Sequence, residues 1–140
     1  TRICLYASTL RIIGDNWLFG AGFGAFTYVY PAYRTAACAG IDKAYLEAHN
    51  FFLEGLASLG IMFIIVLFVV IGSLGLTFFR AIRGGGRRQY SGLIGGGVVT
   101  LVLLHSLVDF SLQIPAVAYF LAGTLAACVS LSLQPPSSRA

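Results

Sequence analysis

The chain has 140 residues, of which 58% are hydrophobic and 10% charged, and its mean hydropathy is +0.86. A soluble domain of this size has too little interior to hide that much apolar surface, so lipid must be the solvent for much of it. The formal charge of +4 does not mark a nucleic-acid binder, because the basic residues form no single patch and the aromatic residues sit mostly in apolar runs; membrane topology accounts for it better.

The chain opens at Thr1 rather than at a methionine and reads as a part of a longer protein, with no signal-peptide pattern at its start. Residues 1–55 form a polar outer segment. Arg2, Arg11, Arg34 and Lys43 balance Asp15, Asp42, Glu47 and Glu54 there, in contrast with the all-arginine charge expected on the inner side. Residues 1–13 are expected to be helical, with Arg2 near one end and Arg11 two and a half turns later. Trp17, Phe19, Phe23, Phe26, Tyr28, Tyr30 and Tyr33 follow, the aromatic population of a membrane interface, and most are read as anchors. Gly20-Ala21-Gly22-Phe23-Gly24 lacks both the preceding strand and the spacing of a nucleotide-binding loop.

Ala48-His49-Asn50-Phe51-Phe52-Leu53-Glu54 stands just before the first span. On a helix His49 and Leu53, or Asn50 and Glu54, would share a face. A histidine near the outer surface can accept a proton at ordinary pH, as a general base must, although an interfacial histidine can also serve only as a cap or an anchor.

Residues 57–79 carry no charge and cover about 34 Å as a helix, enough to cross a bilayer. Residues 80–90 hold Arg80, Arg83, Arg87 and Arg88 around Gly84-Gly85-Gly86, without the Lys-Ser/Thr of a phosphate loop, and are read as a cytoplasmic turn. The chain is then expected to recross over residues 91–109, where Gly95, Gly96 and Gly97 let a neighbouring helix approach closely, and again over 116–133 after a short turn at Asp109 and Gln113-Ile114-Pro115. His105 and Asp109, four residues apart, are expected to face the same way and to lock helices together rather than to react. Residues 135–140 read as a polar cytoplasmic tail carrying Arg139. The expected fold is therefore all-α: a polytopic integral membrane protein with three transmembrane helices and an outer helical and loop segment.

Of three cysteines, Cys128 lies in an apolar run. Cys4 and Cys38 could meet outside the membrane, but small buried thiols are the commoner use. No Cys or His cluster has metal-ligand spacing, and no cofactor is indicated. Arg2, Arg11 and Arg34 would be available at the outer surface to an anionic ligand such as a diphosphate-linked lipid, or simply to lipid headgroups.

Taken in order, several of these residues resemble the C-terminal half of the O-antigen ligase and polymerase superfamily of bacterial membrane proteins. The resemblance covers nearly the whole chain. It rests on Thr1-Arg2 opening a helix, on the glycine-rich turn from Asp15 to Phe26, on Tyr30-Pro31-Ala32-Tyr33-Arg34, and on His105 to Phe110 before Ile114-Pro115-Ala116. Its most specific element is His49-Asn50, nine residues, then Gly60. Three residues after Gly60 the ligases tend to have Gly, Thr or Tyr; Phe63 stands here, a departure that favours a polymerase or a relative. The stretch between Arg34 and His49 is short for an acceptor-binding lobe.

The resemblance implies a multi-pass protein of the bacterial inner membrane, with residues 1–55 periplasmic and the C-terminus cytoplasmic. It implies transfer of a glycan from an undecaprenyl-diphosphate carrier to a hydroxyl of a lipid or glycan acceptor, without a metal in the ligases. Arg2 would then hold the diphosphate, with Arg11 and Arg34 as helpers, and His49 would be the base or a diphosphate contact. Asn50 and Glu54 would orient the histidine loop, and His105 and Asp109 would support from the closing helices. The alternative is a non-catalytic relative associated with transport, of the inorganic-carbon uptake type.

Overall fold

The computed structural model describes residues 2–34, 48–109 and 111–134, with Arg2 described by its backbone alone. The expectations for Cys38, for the stretch between Arg34 and His49, and for the 135–140 tail with Arg139 lie outside the described residues. Within them every regular element is helical, and two compact units are present: Thr1–Leu67 with Ser106–Phe110, and Phe68–His105 with Ser111–Ala140.

The first unit holds α1 (Arg2–Asp15), α2 (Phe26–Val29), a 3-10 turn over Tyr30–Tyr33, and α3 (Phe51–Leu59). Leu5, Ser8, Thr9 and Ile12 recur at the spacing of one helical face and are buried, whereas Ile3, Leu10 and Arg11 are exposed. That face meets Phe26, Tyr30, Ala48 and Ala57 to form the core, with the Phe26 and Tyr30 rings stacked 5.5 Å apart. Thr9 Oγ1 donates to the Leu5 carbonyl at 2.8 Å, but the buried Ser8 hydroxyl has no partner.

The first expected span divides at Gly60. α3 ends there and α4 (Ile61–Gly84) begins, so the long apolar helix starts four residues later than the charge-free run and continues five residues beyond it, through Arg80 and Arg83. Gly60 has φ +57°, and its backbone lies against Trp17 and Leu18 so closely that a Cβ would come within 2.6 Å of the Trp17 carbonyl oxygen. The Phe63 side chain reaches from α4 back to α3: its ring meets Phe51 edge-on at 5.5 Å and fills the notch left by Gly55.

In the second unit, α4 gives way to α5 (Gly86–Ser106) across Gly85 alone, so the expected 80–90 loop is mostly helix. Positive φ at Gly85 and Gly86 permits the reversal. Gly92 and Gly95 then receive Phe78 and Ala81 of α4, with Phe78 and Ala81 buried. A 3-10 turn over Ser111–Gln113 leads to α6 (Pro115–Leu133), which starts on proline where a missing N–H costs nothing. The first turns of α5 meet the last turn of α6: Arg88 Nε donates to the Ser132 carbonyl at 2.9 Å, and the Ser91 and Ser132 hydroxyls bond at 3.0 Å in a buried contact. Arg88 thereby satisfies a carbonyl that the end of α6 leaves open.

Among the described residues two helices, α4 and α6, are long and apolar enough to cross a membrane, and only 11% of the apolar stretch of each is buried. The core helix of a soluble protein would be mostly covered; here Phe68 and Val69 on α4 and Tyr119 and Phe120 on α6 stand exposed. Membrane association is the physical reading of that surface. α5 has the length, but Gln89, Tyr90, Ser91 and its glycines dilute its apolar character below the same measure.

Candidate active site

His49 and Asn50 are not on a helix: α3 starts at Phe51, and the shared faces expected from four-residue spacing are replaced by a capping arrangement. Asn50 is the N-cap, in extended backbone at φ −155° and ψ 117°. Its Oδ1 accepts from the N–H groups of Phe52 and Leu53, both at 3.0 Å, and so satisfies two of the donors a helix start leaves open. Its Nδ2 donates to the Leu107 carbonyl at 2.6 Å, tying the start of α3 to the segment after α5 within the first unit. Glu54, in the first turn of α3, reaches back so that Oε2 accepts from the Ala48 N–H at 2.9 Å. A carboxylate there also suits the positive end of the helix dipole.

His49 lies between these two anchors. It is the one non-glycine residue at positive φ among the described residues, at +51°. Left-handed backbone costs an ordinary residue about 1–2 kcal/mol, and it persists only where the surroundings dictate it. Here Ala48 is fully buried and tied to Glu54, and Asn50 is buried and tied to both α3 and Leu107. The histidine itself is half-buried. The chain is thus held in a strained turn that displays an imidazole, a pattern that clusters at functional sites.

The glycine-rich turn supports the same region. Ala21 N–H donates to the Ala57 carbonyl at 2.7 Å, Gly22 N–H to Ser58 at 3.1 Å, and Ile61 N–H to the Trp17 carbonyl at 2.8 Å. Gly20, at φ +71°, touches the Ser58 backbone where no Cβ would fit. The spacing of His49-Asn50, nine residues and Gly60 therefore has a physical content: a cap, a nine-residue helix and a glycine break onto which another turn docks.

The arginines are not gathered by the described geometry. Arg2 opens α1, which packs on α3. Arg11, nine residues further on, is half a turn out of register with it and stands exposed. Arg34 is half-buried just past the Tyr30–Tyr33 turn. Nearby, Tyr33 is held above its ordinary pKa, first by its hydrogen bond to Asp15, then by burial and the Asp15 charge, with Asn16 opposing.

His105 and Asp109 do not share a helical face, because α5 ends at Ser106. His105 is exposed, with Nε2 3.2 Å from the Ser111 hydroxyl, and Asp109 is half-buried in non-helical backbone. Cys4 overturns the expectation of a buried thiol: it is disulfide-bonded, whereas Cys128 is a free buried cysteine. Sequence reasoning also missed the Leu107 carbonyl, which lies 57 residues from Asn50 and carries no local signal. Among the described residues no group of three His, Cys, Asp or Glu side chains is placed to hold a metal. Comparison with family models, with curated proteins and with solved structures finds no match to this chain.

Proposed function

We propose that this chain belongs to a membrane glycosyltransferase that moves a glycan from an undecaprenyl-diphosphate carrier to an acceptor hydroxyl at the non-cytoplasmic face of a bacterial inner membrane, in the manner of O-antigen ligases or polymerases. The observation that carries the reading is the strained His49 turn, held by Asn50 and Glu54 at the start of α3, the short helix that leads into the long apolar α4. In the reaction His49 takes the proton of the acceptor hydroxyl as that oxygen attacks the anomeric carbon. The carrier diphosphate leaves with the electrons of the glycosidic bond, and the Arg2 guanidinium stabilises its growing negative charge, with Arg34 as a secondary contact.

The topology that goes with this has three spans, α4, α5 and α6, with residues 1–55 outside and the Arg80–Arg88 turn inside. Three observations support it. α5 is 21 residues long, about 31 Å, and packs back along α4. The arginines flank the Gly85 reversal, as cytoplasmic turns do. Cys4 is disulfide-bonded, which suits an oxidising compartment.

The test is transfer from a purified lipid-diphosphate donor by the full-length protein in membranes. Arg2→Ala and His49→Ala are each expected to lower turnover by about 100-fold or more in folded protein. Turnover near wild type in both would contradict the roles given to Arg2 and His49, whereas no transfer by the wild-type protein would leave a non-catalytic relative as the better reading.

A further inference from the structure

Trp17, Leu18, Phe19 and Phe23 are exposed, Trp17 at 60%, Phe19 at 73% and Phe23 at 91%. They are not on a loose loop. The Trp17 carbonyl accepts from the Ile61 N–H, Ala21 and Gly22 donate to the Ala57 and Ser58 carbonyls, and the Trp17 and Leu18 backbone packs against Gly60, so the turn that carries these side chains is fixed beside the first residue of α4. The run from Trp17 to Gly24 carries no charge, and Glu54 is the last charged residue before Arg80. If α4 crosses the bilayer, as the function proposed above requires, the edge of the hydrocarbon lies between Glu54 and Ile61, at the level where these side chains are clamped.

The geometry points to a lipid-facing collar: Trp17, Leu18, Phe19 and Phe23 seat in the outer interfacial zone of the bilayer and hold α3, with the His49 turn at its start, at the membrane surface. Continuity with α4 selects lipid as the occupant, because a backbone clamp on Ile61 puts the patch where the apolar helix enters the membrane. Aromatic rings suit that zone, with an apolar body for the acyl boundary and, in tryptophan, an N–H for the headgroups. The collar gives the proposed reaction a fixed height, since a diphosphate on a lipid carrier lies at the same surface.

Trp17 is the only tryptophan in the chain, which makes the collar directly observable. The full-length protein, with any tryptophan outside this chain replaced by phenylalanine, is reconstituted in vesicles of phosphatidylcholine and phosphatidylglycerol carrying nitroxide labels at shallow or deep acyl positions. Shallow labels are expected to quench Trp17 emission about twofold more than deep ones, with little quenching by aqueous acrylamide. Strong acrylamide quenching, or protection from every quencher, would overturn the collar: the first places Trp17 in water, the second under protein. A Trp17→Phe, Phe68→Trp variant separates the underlying premise, since position 68 should respond most to deep labels. If it does not, α4 fails to span and the collar falls with it; if it does while Trp17 shows no lipid quenching, the collar alone is wrong.

Discussion

Gly20 and Gly60 sit at positive φ with backbone pressed against backbone, whereas Gly92 and Gly95 are helical residues of α5 whose missing side chains admit the Phe78 ring and its helix. The first pair builds a specific geometry around α3 that only glycine adopts freely; the second lets two apolar helices come close. Gly96 and Gly97 do neither, for nothing lies within 4 Å of where their Cβ atoms would be. The same residue type thus marks conformational necessity around α3 and packing tolerance in the apolar helices. Specific chemistry is to be sought where backbone conformation is dictated, near His49, and not along the apolar helices.

The sharpest way to break this contrast is to add one methyl group at each kind of site. Gly60→Ala must place a Cβ against Trp17 and Leu18 at an unfavourable φ, and is expected to cost about 3 kcal/mol. Gly97→Ala, in open helix, is expected to be neutral or to stabilise by up to about 1 kcal/mol. Thermal unfolding of the purified variants in detergent reads both; equal effects would erase the distinction.

Next in size is Asn50→Ala, which removes the α3 cap and leaves the Leu107 carbonyl without its donor. The expected loss is about 2 kcal/mol by the same measurement. A loss confined to a few tenths would mean that the His49 turn is held by something else.

How much of this was legible in the sequence depends on the range of the interaction. The apolar runs and a reversal among the arginines were readable because length and charge are local properties, although residues 80–90 are mostly helix and the reversal is confined to Gly85. Residues 57–79 anticipated α4, though not its start at Ile61, because Gly60 at the break is in contact with Trp17 and Leu18, more than 40 positions away. His49 and Asn50 stood out as a pair, but periodicity placed them on a helix, whereas the capping preference of asparagine makes Asn50 a helix start. The bond from Asn50 to Leu107 and the disulfide at Cys4 depend on tertiary proximity, which spacing does not encode.

The smallest effect concerns Tyr33. Its folded-state pKa is raised above the ordinary value of 10.0, so the stabilisation from its contact with Asp15 is fully present below that value and is lost as pH rises through the folded pKa. Phenolate absorbance, compared between wild type and Tyr33→Phe, is expected to show one tyrosine titrating above the ordinary range. Asp15→Asn is expected to bring it down, since the carboxylate is the leading cause of the shift.

The most direct test of the account uses the strain itself. His49 occupies a φ of +51° that glycine adopts freely, so His49→Gly removes the imidazole without forcing the backbone to move. The account predicts a melting temperature at or above that of wild type, together with a fall in glycan transfer from the lipid-diphosphate donor of about 100- to 10,000-fold. A His49→Gly protein that transfers glycan at nearly the wild-type rate would contradict it.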